Sequence, residues 1–126
     1  MSYRTDRQRA FGLGASGEGV HHWWQQRVSS IALIPLVILF SWTLVPLIGG
    51  PRDEIVAAFG NPFNALVAVL CVMAVFWHLK QGLQVVIEDY VHHRLALAAL
   101  SIISELFCWL FGVIGVFSVA RMAFGG

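Results

Sequence analysis

FNALVAVLCVMAVFWHLKQGLQVVIEDY, residues 63–90, is an apolar segment that ends in a polar pair. Between Phe63 and Ile87 the only basic side chains are His78 and Lys80, and there is no acidic one. That run exceeds the ~20 apolar residues needed to cross a hydrocarbon core. A helix closes all its backbone hydrogen bonds within the segment, so helix is the expected form. Each residue advances about 100° around a helix, so the steps from His78 to Asp89 return both side chains to one face, roughly 16 Å apart along the axis. Gly82 falls one turn after His78 on the same face and leaves a gap there.

Two similar stretches flank this one. Val28 to Ile48 carries no charged side chain, and Leu95 to Ala120 carries only Glu105. Across 126 residues the chain is 58% hydrophobic and 12% charged, about half the charge of an ordinary soluble domain. These features predict an all-α membrane protein, a single membrane-anchor domain over 1–126, with helices at about 28–48, 63–87 and 95–120. Residues 1–26 read as a polar tail bearing Arg4, Arg7 and Arg9 among Gly12, Gly14, Gly17 and Gly19. A cleaved signal is not expected, since the first apolar run is too long for one and follows that Gly-rich tail. Pro35 lies inside the first helix and Pro46 near its end. Gly-Gly-Pro and Gly-Asn-Pro mark the first loop, Gly49 to Pro62, and a short second loop spans about Glu88 to Arg94. Cys71 and Cys108 fall in apolar helices without metal-binding or disulfide spacing, and read as packing residues. A net charge of +1 gives no reason to expect nucleic acid.

The basic residues set the expected orientation. Arg4, Arg7, Arg9, Arg27, Lys80 and Arg94 lie toward the N-terminus and second loop; Arg52 and Arg121 lie on the other side. The bias places the N-terminus and second loop in the cytoplasm and the C-terminus in the periplasm. Trp23 and Trp24 fit an aromatic belt at the cytoplasmic surface.

His78 is the first candidate for chemistry. Ionisable groups inside a membrane usually face a bundle interior or a cavity. A neutral imidazole at that depth suits axial ligation of haem iron; it equally suits a hydrogen bond to a neighbouring helix, and position alone leaves both open. A b-type haem with two protein ligands needs a second residue. His21, His22, His92 and His93 all lie near the cytoplasmic surface, so the second ligand would come from another subunit. Tyr90 is a hydrogen-bond donor suited to a quinone carbonyl, with Asp89 beside it to orient it or relay protons; an interfacial tyrosine and a solvated aspartate are the alternative. Arg27 can pair with haem propionates or with lipid phosphates. Lys80 lies about 200° around the helix from His78 and is expected to reach toward the headgroups. Ser101, Glu105, Cys108, Gly112 and Gly115 form one small or polar stripe suited to close helix packing.

Two segments together resemble the small hydrophobic membrane-anchor family of succinate dehydrogenase, respiratory complex II. One is residues 19–30, GVHHWWQQRVSS; the other is His78-x3-Gly82-x6-Asp89-Tyr90. The resemblance implies packing with a second three-helix anchor subunit, and partnership with a flavoprotein and an iron-sulfur protein. It implies His78 as one axial ligand of haem b, Tyr90 and Asp89 at the ubiquinone head group, and Arg27 and His21 near the haem propionates. The His-Trp-Trp form is similar to anchors of alphaproteobacterial and mitochondrial type, which implies ubiquinone and a bacterial inner membrane, or the mitochondrial one. Ser29-Ser30 departs from the family's frequent Thr-Ala, with no consequence expected. His22 and Glu105 receive no role.

Such a chain is a subunit of a redox complex, without catalysis of its own. The rival readings are the anchor of a quinol-linked fumarate reductase or other cytochrome b, and a non-redox membrane scaffold. A transporter is disfavoured by the lack of an inverted repeat or paired broken helices.

Overall fold

In the computed structural model residues 18–125 are described. Arg4, Arg7, Arg9, Gly12, Gly14 and Gly17 of the expected tail lie outside them. Helix α1 spans Glu18–Leu44 and runs into a 3-10 turn, Val45–Leu47; α2 spans Arg52–Gly60, α3 Pro62–Tyr90 and α4 Arg94–Gly125. Three of these, the first continued through its 3-10 turn, are long and apolar enough to cross a membrane: Gly19–Leu47, Pro62–Tyr90 and Arg94–Gly125. The chain is an all-α, multi-pass membrane protein.

The helices outrun the apolar stretches that predicted them. The first begins at Glu18, not 28, so His21, His22, Trp23 and Trp24 are helical; the last residues of the expected tail, 18–26, are its opening turns. The second continues to Tyr90 and the third to Gly125. Apolarity marks only the part matched to the ~30 Å hydrocarbon core, whereas intrahelical hydrogen bonding continues through polar turns at either end.

The first loop also contains a helix. Its breakers bracket α2: Gly49 takes φ +85°, a conformation that favours glycine, and Pro51 leads into the first turn, where Asp53 and Glu54 complement the helix dipole. Asn61 then caps α3 by accepting from the Phe63 N–H at 2.9 Å, with Pro62 at its first position. Asn64 ties α3 back to α2 by donating to the Ala58 carbonyl at 2.9 Å.

Helix α3 is central, packed against α1 and α4 on different faces. A small core under α2 joins Phe59, Ala65, Ala68 and Val119, flanked by Phe40, Leu44 and Met122. Between α3 and α4 the stripe of small residues forms the seam. Cys108 is buried. A side chain added at Gly112 would touch Phe76 at 3.5 Å, and one at Gly115 would meet a Val72 methyl at 2.8 Å. Most other large apolar side chains face outward, as befits a lipid-immersed or partner-bound bundle. The α1 N-terminus and the α3–α4 turn share one end of the bundle; α2 lies at the other.

Candidate functional site

The site is a polar layer in the α1–α3 seam. His22, Gln26 and Ser29 follow at i, i+4 and i+7, which places them on one face of α1. That face meets α3 at His78 and Gln81. His78 is half-buried; its Nδ1 lies 3.0 Å from Ser29 Oγ, and its Nε2 lies 3.4 Å from Gln26 Nε2. Ser29, 9% exposed, also donates to the Gln26 carbonyl at 3.0 Å. Gln81, 3% exposed, donates to Gln25 Oε1 at 3.0 Å, and Gln25 Nε2 donates to His21 Nε2 at 2.7 Å.

These contacts select one tautomer of His78. With the Gln26 amide nitrogen facing the ring, Nε2 is an acceptor, so the ring proton sits on Nδ1 and goes to Ser29 Oγ. The Ser29 proton is then committed to the Gln26 carbonyl. The bare Nε2 keeps only a long contact from a flexible side chain.

Among the described residues three buried side-chain polar atoms find no hydrogen-bond partner: His22 Nε2, Gln26 Oε1 and Gln81 Oε1. All three belong to the helices that form the seam. An unsatisfied buried polar group costs about 1–3 kcal/mol, so this layer is incomplete as a free-standing structure. Beside it a side chain built at Gly82 would meet nothing within 4 Å, so the expected gap exists. A neutral imidazole whose Nε2 holds only one long contact, with its Nδ1 proton anchored and open space one turn away, fits one axial position of a haem. Among the described residues no group of three or more His, Cys, Asp or Glu could hold a metal ion.

The other expected site residues lie at the same end but outside the layer. Asp89 and Tyr90 close the last turn of α3 and are exposed, Tyr90 at 78%. Arg27, expected where the helix starts, lies in its third turn; its guanidinium stacks 5.1 Å from the Trp23 ring centroid, about 140° around α1 from His22. His21 is exposed and held by Gln25. Lys80, expected to reach toward the headgroups, instead turns to α4: its Nζ donates to Glu105 Oε1 at 2.7 Å, with the Trp77 and Trp109 rings 5.4 and 6.0 Å away. The angle between His78 and Lys80 therefore separates two seams, α1–α3 and α3–α4. Sequence reasoning missed Ser29, Gln26 and Gln81. Polar residues at i, i+4 and i+7 in the first turns of an apolar helix were the available signal.

A helical bundle with three spans and a histidine-centred polar layer near one end defines a class, the multi-pass membrane subunits. The chain belongs to the succinate dehydrogenase/fumarate reductase transmembrane subunit family, whose sequence profile matches residues 1–119. It is 37% identical over 125 residues to the succinate dehydrogenase hydrophobic membrane anchor subunit of Paracoccus denitrificans, covering 99% of this chain and 96% of that one. It is 31% identical over 107 residues to the anchor subunit of the same name from Rickettsia conorii, covering 84% and 85%. The succinate dehydrogenase membrane anchor subunit of Reclinomonas americana is 34% identical over 77 residues, covering 59% and 64%. No solved structure matches significantly. The family resemblance read from residues 19–30 and 78–90 thus holds over nearly the whole chain.

Proposed function

We propose that this chain is the small membrane anchor of a succinate:ubiquinone oxidoreductase in a bacterial inner membrane. It docks a flavoprotein and an iron-sulfur protein at the membrane and pairs with a second three-helix anchor. His78 supplies one axial ligand of a haem b, the partner anchor the other. The observation that carries this reading is the His78 layer, with its loosely held Nε2 and the open space at Gly82, in a chain of this family.

Bound there, haem b supplies a one-electron centre within the bundle. His78 Nε2 would hold the iron, with Ser29 beside Nδ1 of the same ring. Gly82 leaves room for a flat, bulky group against the α3 backbone. Arg27 and His21, on the first turns of α1, lie toward the surface where carboxylates of such a group would emerge. Tyr90 donates a hydrogen bond to a carbonyl of the ubiquinone head, and Asp89 holds a proton beside it. These two lie on the cytoplasmic side, where electrons from a soluble iron-sulfur subunit arrive.

The test is His78→Ala in the assembled complex, read by low-temperature optical and EPR spectroscopy. Loss of the low-spin b-type signal, or a change of spin state as another group substitutes, is expected. An unchanged bis-histidine signal would overturn the assignment.

A further inference from the structure

Two adjacent serines on α1 provide an internal comparison. Both bond back to the same carbonyl: Ser29 Oγ donates to Gln26 O at 3.0 Å and Ser30 Oγ at 2.7 Å. This is ordinary behaviour for a helical serine, whose single proton finds the carbonyl three or four residues earlier. The two differ in what their oxygens meet next. Among the described residues Ser30 makes no other hydrogen bond, whereas Ser29 faces α3 with its oxygen 3.0 Å from His78 Nδ1. With its proton on Gln26 O, that oxygen is an acceptor, and the only proton within its reach on the ring is the one on Nδ1.

We propose that Ser29 is the positioning residue of His78. Its oxygen accepts the Nδ1 proton and thereby keeps Nε2 unprotonated, with only the long contact from the Gln26 amide. The inference rests on the reading of His78 as a haem ligand. A ligating imidazole that gives its other proton to an acceptor is fixed in tautomer and ring rotation, and is a stronger donor to iron. Stronger donation favours the ferric state. Removing the acceptor therefore moves the haem midpoint potential upward and lets the ring rotate.

The experiment compares Ser29→Ala, Ser29→Thr, Ser30→Ala and His78→Ala in the assembled membrane complex. The readouts are a redox titration of the b-type absorbance and low-temperature EPR. Ser29→Ala should raise the midpoint potential and broaden or shift the low-spin signal. Ser29→Thr keeps the hydroxyl and should restore wild-type values. Ser30→Ala removes an equivalent hydroxyl that does not touch His78 and should change neither. Ser29→Cys, nearly isosteric but a poorer acceptor, should shift the potential in the same direction as Ala and serves if the alanine variant does not assemble.

A wild-type potential and spectrum in both Ser29→Ala and Ser29→Cys, while His78→Ala loses the signal, would remove the positioning role alone. Equal shifts in Ser29→Ala and Ser30→Ala would also overturn it, because the effect would then belong to α1 in general. A bis-histidine signal surviving in His78→Ala would instead remove the haem-ligand reading on which the inference stands.

Discussion

Lys80 Nζ lies 2.7 Å from Glu105 Oε1, and this contact ties α3 to α4 within their membrane-spanning segments. The carboxylate side chain remains 52% exposed on the outer face of the bundle. In lipid that face offers no water to solvate an unpaired charge, so each partner makes the other tolerable. Lys80→Met leaves Glu105 alone and should destabilise the bundle by about 1–3 kcal/mol. The double variant Lys80→Met/Glu105→Leu removes both charges and should recover most of the loss. Thermal denaturation of the solubilised complex checks this. Equal losses in the single and double variants would show that the pair carries no coupling.

The α3–α4 seam makes a second prediction, from two glycines one turn apart. A methyl added at Gly115 would sit 2.8 Å from Val72 Cγ1. Val72 is β-branched, with few rotamers in a helix, so it cannot turn aside easily. Gly115→Ala should therefore force the helices apart and cost about 1–3 kcal/mol. At Gly112 the nearest atom is Phe76 Cβ at 3.5 Å, an ordinary contact. Gly112→Ala should be neutral, or stabilising by up to about 1 kcal/mol through helix propensity. Melting temperatures of the two variants should diverge, and equal values would refute the close packing at Gly115.

Tyr90→Phe deletes one exposed hydroxyl and keeps the ring, so assembly should survive. Loss of a hydrogen bond to the quinone is worth on the order of 1 kcal/mol, a several-fold fall in quinone reduction. Succinate oxidation by a dye that accepts electrons before the quinone should stay near wild type. A parallel fall in both rates would place Tyr90 in assembly, and no fall in either would leave it an interfacial anchor.

Arg27 is exposed and stacks on Trp23. If it nonetheless neutralises a haem propionate, Arg27→Leu removes a cation and should lower haem occupancy or midpoint potential, while Arg27→Lys should preserve them. Optical redox titration distinguishes the variants. Wild-type occupancy, potential and quinone reduction in Arg27→Leu would make it a lipid anchor.

The sequence by itself determined the three spans, the packing stripe on α4 and the separation of His78 from Lys80. Span number is a one-dimensional property, set by apolar length against bilayer thickness, and angular position on a helix follows from its period. Helix ends were less legible, because polar turns continue a helix beyond its apolar part. Residues 18–26 were read as polar tail for that reason, and α2 as part of the first loop because Gly and Pro breakers flank it. Only the tertiary structure decided who meets whom. Ser29 looked inconsequential in the sequence, yet it touches His78 from 49 residues away, and Lys80 finds Glu105 across 25. Such pairings depend on how closely two helices approach and in what register. In the α3–α4 seam, Gly112 and Gly115 set that approach by leaving room for Phe76 and Val72, a relation that no single helix contains.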